Sequence, residues 1–441
     1  MNYAVPPRPS IVGRGAKKKS GLTVLVLCFV AIVFDGYDLV VYGSTVPSIL
    51  SDQEWDVSPS AAGVFGSLAL FGMLIGTLFV GLLTDMLGRK RIMIISLTWF
   101  SVLMGLTAIA PSPEMFGVLR FLTGLGLGPV IPSCVAMTVE FAPKARRQLA
   151  NAVMYSGYSV GGVLAALLGI MLLPHIDWRW LYAFGALPIV VLVPFIWALM
   201  PESVAYLAAR GRHEEARRIA DDYGLAYSDI VATPKDHAAA VGPKKPRSLR
   251  LMFSRDWILG TFMLAFASYC GLLLVYGLNT WLPQIMREAG YDLGSSLSFL
   301  LALNVGAIVG AISGSYIADK IGIKKVVLAS FVVAFIAVTL MSFGLPYGVL
   351  LVFIAFAGLG SIGTQIFVNG FVATYYPQAN SATALAWTLG VGRLGGMSGP
   401  LIGGVIASLA LGFQVNFYVF AGVALVGVIL ITLVPRRPLS A

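Results

Sequence analysis

The 441-residue chain lacks most of what a soluble enzyme needs. Only 11% of its residues are charged, against about 25% in a typical soluble domain. Hydrophobic residues make up 58%, and mean hydropathy is +0.86. This is the composition of an integral membrane protein. Cysteine is scarce: Cys28, Cys134 and Cys270 stand alone in apolar runs, without CxxC pairing or metal-ligand spacing, which argues against structural disulfides and a zinc site. His175, His213 and His237 lie in separate loops with no nucleophile or ligand beside them. The absence of a GxxxxGK(S/T) phosphate loop argues against an ATP-driven pump. "GYSVG" (157–161) and "GLGSIG" (358–363) mimic nucleophile and dinucleotide motifs. Both sit in long apolar helices without the strand-to-helix context those motifs require, so close packing through small residues explains them better. No cofactor is expected.

What the chain has is long apolar runs. A span needs about 20 largely apolar residues, and twelve candidates emerge: 22–46, 61–83, 91–110, 115–138, 149–173, 180–200, 257–281, 296–317, 325–344, 348–373, 382–408 and 413–434. The first run continues past the length of a signal-peptide core and is read as a retained span. The predicted fold is all-α, with twelve transmembrane helices in two six-helix halves, 22–200 and 257–434. A polar linker with amphipathic helices, 201–256, joins them, and a basic arm, 1–21, and a tail, 435–441, flank them.

The net charge of +10 forms no nucleic-acid stripe. With the N-terminus inside, cytoplasmic segments hold 26 of the 30 lysines and arginines, which predicts a cell-membrane protein with both termini cytoplasmic. The halves also repeat. A gapless shift of 234 residues carries Gly72 onto Gly306, Gly76 onto Gly310, Asp85 onto Asp319, Gly88 onto Gly322 and Gly124 onto Gly358. "DMLGRKR" and "DKIGIKK" superpose at the same offset. Six spans preserve orientation, so this is a parallel repeat of the kind found in transporters that rock about a central site.

"GLLTDMLGRKR" (81–91) resembles the loop between spans 2 and 3 of the major facilitator superfamily, and "SYIADKIGIKK" (315–325) its weaker counterpart between spans 8 and 9. "RFLTGLGLG" (120–128) and "PES" (201–203) are similar to that superfamily's span-4 motif and span-6 ending, so the likeness covers essentially the whole chain. With "DGYD" (35–38), Arg120, Glu140 and Arg393, the chain resembles the aromatic acid/proton symporters within it. The resemblance implies a gating role for Gly81, Asp85, Gly88, Arg89, Lys90, Arg91, Asp319 and Gly322. In it, Asp85 would bond neighbouring helix ends in one conformation and be released in the other.

Four charges lie within spans: Asp35, Asp38, Arg120 and Arg393. Each costs ~2.5–3.5 kcal/mol at mid-helix on insertion scales, so such residues face a cavity or a partner. Asp35 and Asp38, spaced i,i+3, share a helix face at a depth comparable to Arg120. Two close acids repel and titrate together, which suits proton coupling, and an arginine fork suits a carboxylate. Arg393 is the preferred carboxylate contact and Arg120 is closer to proton coupling; the reverse assignment stays open. Glu140 is read either as an inner proton exit or as an ion-pair partner of Lys144 or Arg146. Spans 1, 4, 7 and 10 line the centre in this fold class, nominating Tyr42, Tyr269, Tyr276, Asn279, Trp281, Gln365 and Asn369 for the substrate. The expected function is proton-coupled uptake of a small aromatic carboxylate by a monomer in the lipid bilayer. A permease for non-aromatic mono- or dicarboxylates is the alternative. A membrane sensor derived from a transporter fits less well, because so little chain follows the last span.

Overall fold

The computed structural model describes residues 19–143, 146–230 and 251–435. Lys144, His237, most of the basic arm, the second part of the linker and most of the tail lie outside them. Among the described residues the chain is helical, without strands. Eleven helices are long and apolar enough to cross a membrane, from Leu22–Leu50 to Phe413–Leu433. A further helix of 31 residues, Gln378–Ser408, carries Arg393 and takes the place of span 11.

Several spans outrun their apolar cores because capping residues fix their ends. Ser58 accepts a hydrogen bond from the Ala61 amide at the start of span 2, and Asp292 accepts one from the Ser295 amide at the start of span 8. These caps are 234 positions apart (292 − 58). The Ser295 hydroxyl and amide hold the Asp292 carboxyl below its usual range. Both spans end on a glycine in the left-handed region, Gly88 and Gly322, each with φ +92°. A side chain is strained there, so each glycine permits the tight reversal into the next span.

Three spans are interrupted. Span 4 breaks at Gly128–Pro129 between Pro113–Leu127 and Val130–Phe141. Span 6 is segmented around Pro188 and Pro194, because proline removes a donor and crowds the preceding turn. Span 10 carries a π-helical turn, Leu359–Gly363, between Tyr347–Gly358 and Thr364–Tyr375.

The repeated glycines mark equivalent helix crossings. A Cβ on Gly72 would fall 2.0 Å from the Phe121 carbonyl oxygen, and one on Gly306 would fall 2.0 Å from that of Ala355. Both glycines and both contacted residues are related by the 234-residue shift. The match extends beyond scattered glycines: the same backbones touch in both halves, at the close approach small residues permit.

Between the halves, tight seams gather at one end. Gly43 lies against the Asn279 carbonyl, Gly63 against Pro400 and Gly404, Gly162 against the Asn304 amide and Gly169 against Leu297. Ser67 adds a 2.7 Å hydrogen bond to the Met397 carbonyl. At the opposite end, which bears the Asp85 and Asp319 loops, no described glycine touches the other half, and Gly81 has open space around it.

The linker begins with Val204–Ala209 and His213–Tyr223. Leu207, Ala208, Ala216 and Ala220 are buried in it, while Arg210, Arg212, Glu214, Glu215, Arg217 and Arg218 face out, as amphipathic spacing requires.

Candidate functional site

Span 1 places Asp35 and Asp38 inside the helix bundle, both with 0% exposure. Asp38 forms an ion pair with Arg120 of span 4, which is 1% exposed. The pair is one-pronged: Asp38 Oδ2 and Arg120 Nε are buried without a hydrogen bond. The Tyr42 ring lies 5.4 Å from the guanidinium carbon, close enough for a cation–π contact. The Tyr42 hydroxyl donates to the Ala62 carbonyl, joining span 1 to span 2. Phe116, Trp178, Tyr182 and Trp55 form an edge-to-face aromatic cluster above it.

Asp35 differs from its neighbour. Neither carboxyl oxygen has a hydrogen-bond partner among the described residues. Arg393 of span 11 exerts an opposing field on it, but from beyond ion-pair distance. Arg393 is half-buried and makes no ion pair or hydrogen bond among the described residues. Tyr155 and Tyr276 also lie within its field. The centre thus holds one compensated Asp–Arg pair and one uncompensated acid and cation, drawn from opposite halves.

The remaining nominated residues divide into two groups. Gln365 donates to Ser268 Oγ at 3.0 Å and to Asn369 Oδ1 at 3.1 Å. Asn369 is half-buried, its carbonyl held by Gln365. The Tyr269 hydroxyl donates to Ser398 Oγ at 2.8 Å, tying span 7 to span 11. Asn279 and Trp281 are occupied in helix contacts. Asn279 accepts from Asn304 Nδ2 at 3.1 Å, and the fully buried Trp281 donates to the Pro400 carbonyl at 2.8 Å.

At the end with the repeated loops, the structure corrects the expected partners of Glu140. Its carboxylate bonds Arg89 at 2.8 Å, the Ser203 hydroxyl at 2.7 Å and the Val204 amide. Arg146 is not its partner, and Lys144 lies outside the described residues. Sequence proximity suggested the nearby cations, but span 4 carries Glu140 toward the loop before span 3 and the start of the linker. Glu202 accepts from the Lys90 amide at 3.0 Å, and Lys90 Nζ reaches the Trp197 carbonyl at 2.8 Å. Gly88 is boxed in by Glu202 and Tyr206. The Asp85 and Asp319 side chains and Arg91 are exposed. Asp85 takes part here through its backbone carbonyl, which accepts from Arg210 at 3.1 Å.

Sequence reasoning missed Tyr155 and Tyr158 on span 5, and Asn304 and Ser268. A signal for Tyr158 was present: it lies inside "GYSVG", whose Gly157 and Gly161 press span 5 onto the span-1 backbone at Phe29 and Val33. A polar residue between two such glycines faces span 1 near Asp35.

Comparison with known proteins agrees with this architecture. The family model described as Major Facilitator Superfamily matches residues 28–387 and 295–441. The chain is 34% identical to the benzoate transport protein of Acinetobacter baylyi, over 94% of this chain and 89% of that one. It is 35% identical to the gentisate transporter of Corynebacterium glutamicum, over 94% and 88%. Among solved structures, the partially occluded inward-open xylose transporter XylE from E. coli matches with a TM-score of 0.74 at 16% identity, covering 94% of this chain and 98% of that one.

Proposed function

The chain belongs to the major facilitator superfamily, and on that premise we propose that it imports a small aromatic carboxylate with protons, by alternating access across the cell membrane. The observation that carries this reading is Arg393, a half-buried guanidinium without an ion partner among the described residues, in the field of the unpaired acid Asp35 and of Tyr276. A buried cation of this kind calls for an anion, and a carboxylate fits its fork. The aromatic surface beside it suits a flat ring. Likeness to carriers of benzoate and gentisate supports the same substrate class.

Asp35 is the proton carrier in this reading. A carboxyl buried without a partner is far cheaper to hold neutral than charged. Asp38 keeps Arg120 neutralised. Protonation of Asp35 removes the negative charge that competes with the substrate carboxylate for the field of Arg393, so proton and substrate cross without leaving an uncompensated charge in the membrane. The basic loop asymmetry supports placing both termini, and the Asp85 and Asp319 loops, in the cytoplasm. The seams at Gly43, Gly63 and Gly162 are then the closed outer gate, and this conformation faces inward. The two six-helix halves 22–200 and 257–434 are the rocking bodies, and 201–256 links them. Since one chain supplies both halves, it works as a monomer in the bilayer.

The test is uptake by protein reconstituted in liposomes, using labelled benzoate, hydroxybenzoates and dihydroxybenzoates with and without an inward proton gradient. Gradient-driven accumulation of aromatic acids is expected. Uptake indifferent to the gradient overturns symport, and uptake confined to aliphatic acids overturns the aromatic assignment.

A further inference from the structure

Span 5 contributes a residue that none of the preceding roles uses. The Tyr158 hydroxyl oxygen is buried with no hydrogen bond, beside an acid, Asp35, that also has none. The helix crossing holds them together: a Cβ on Gly36, next to Asp35, would fall 2.1 Å from the Tyr158 carbonyl oxygen, so the two backbones touch. From the other half, the Tyr276 hydroxyl of span 7 comes within reach of that of Tyr158 without completing a bond. Tyr276 is held against Gly396, one turn from Arg393, where a Cβ would lie 2.7 Å from its ring. The ionisable groups around Tyr158 are Asp35 and Asp38 on span 1 and Tyr276 on span 7. Those around Tyr276 are Tyr158, Asp35 and Arg393 on span 11.

We propose that Tyr158 and Tyr276 form a two-hydroxyl switch that carries the protonation state of Asp35 to the substrate cation Arg393. This rests on the symport reading above and deepens it. With Asp35 ionised, Tyr158 donates its O–H to the carboxylate, and the Tyr276 hydroxyl is left without it. With Asp35 protonated, the carboxylic O–H donates to Tyr158 Oη, and Tyr158 turns its own O–H to Tyr276 Oη. Tyr276 then directs its O–H toward the substrate carboxylate at Arg393. Each step only reorients hydrogen bonds: no phenol gains or loses a proton, and the proton count changes at Asp35 alone. The hydroxyls come from different halves, so the bridge exists only while the halves hold the two side chains within reach. Tyr158 is a positioning residue, acting through Asp35 and Tyr276, whereas Tyr276 itself meets the substrate carboxylate beside Arg393.

The test compares gradient-driven accumulation with gradient-free exchange of labelled 4-hydroxybenzoate in liposomes, for wild type, Tyr158→Phe and Tyr276→Phe. Removing a hydrogen bond to a charged group is worth about a tenfold effect. The ratio of accumulation to exchange should therefore fall about tenfold in each variant, the pH dependence of accumulation should shift, and the double variant should lose no more than either single. Equal loss of both activities with an unshifted pH profile would mean simple packing and overturn the proposal, as would an unchanged ratio. Two additive losses would show that the hydroxyls act independently. Size-exclusion profiles of the variants exclude misfolding. Failure of wild type itself to accumulate any aromatic acid along the gradient overturns the underlying symport reading instead, whatever the variants do.

Discussion

Replacing Asp38 by asparagine tests the central ion pair, because it keeps the shape and removes the charge. Arg120 is 1% exposed and Asp38 is its ionic partner. Breaking a buried pair by neutralising one member costs about 3–5 kcal/mol, since the other charge stays buried. The Tyr42 face, 5.4 Å from the guanidinium, touches it in wild type and variant alike and so does not reduce this cost. Removing both charges, in Asp38→Asn with Arg120→Gln, leaves no orphan ion, so the double variant should recover most of that stability. The coupling between the sites should then be about 2–3 kcal/mol, as expected for contacting residues. Unfolding in detergent, followed by tryptophan fluorescence for wild type, both single variants and the double, measures each term. An Asp38→Asn variant within about 1 kcal/mol of wild type would show that Arg120 does not depend on Asp38, as would additive costs in the double. Asp35 gives the contrast: with no partner to orphan, Asp35→Asn should cost little stability.

Three other outcomes follow from the same geometry. Arg393→Leu should raise the KM for aromatic carboxylates by at least about tenfold, the worth of one charge-assisted contact; an unchanged KM in initial-rate uptake would move the carboxylate elsewhere. Gly43→Val places a Cβ where only 1.9 Å separates it from the Asn279 carbonyl oxygen, so the seam near it cannot close. A cysteine introduced at Ser48 should then label faster with an external, membrane-impermeant maleimide than in an otherwise wild-type chain, and equal labelling would contradict the proposed outer gate. Glu140→Gln removes the charge from three hydrogen bonds, so the Arg89 pair should fail at a cost of about 1.5–3 kcal/mol. Proteolysis of the linker should accelerate in that variant; an unchanged cleavage rate would show that Glu140 does not hold the linker.

Several features were legible because their causes are local or additive. The apolar runs follow from transfer cost per residue, and the i,i+3 spacing of Asp35 and Asp38 from helix periodicity. The repeat was legible in its glycines because equivalent helix crossings need equivalent small residues: a Cβ on either Gly72 or Gly306 would fall 2.0 Å from a carbonyl oxygen. Glu140 was not legible in the same way. Its partner, Arg89, lies 51 positions away on another span, and the nearer cations competed for it on proximity alone. Tyr158 was hidden inside a motif explained, correctly, by its flanking glycines.

Composition and spacing are enough to make this a membrane-spanning repeat protein with buried acids and arginines, because desolvation and helical period act residue by residue. Which acid holds which arginine depends on how the helices pack. Asp35 and Asp38 are chemically alike and one turn apart, and only Asp38 meets Arg120. The rotation of span 4 about its axis sets that choice, through contacts such as Gly124 against Ala69 and Gly128 against Met73. Such rotations sum over contacts from distant parts of the chain, and no local window of residues encodes them.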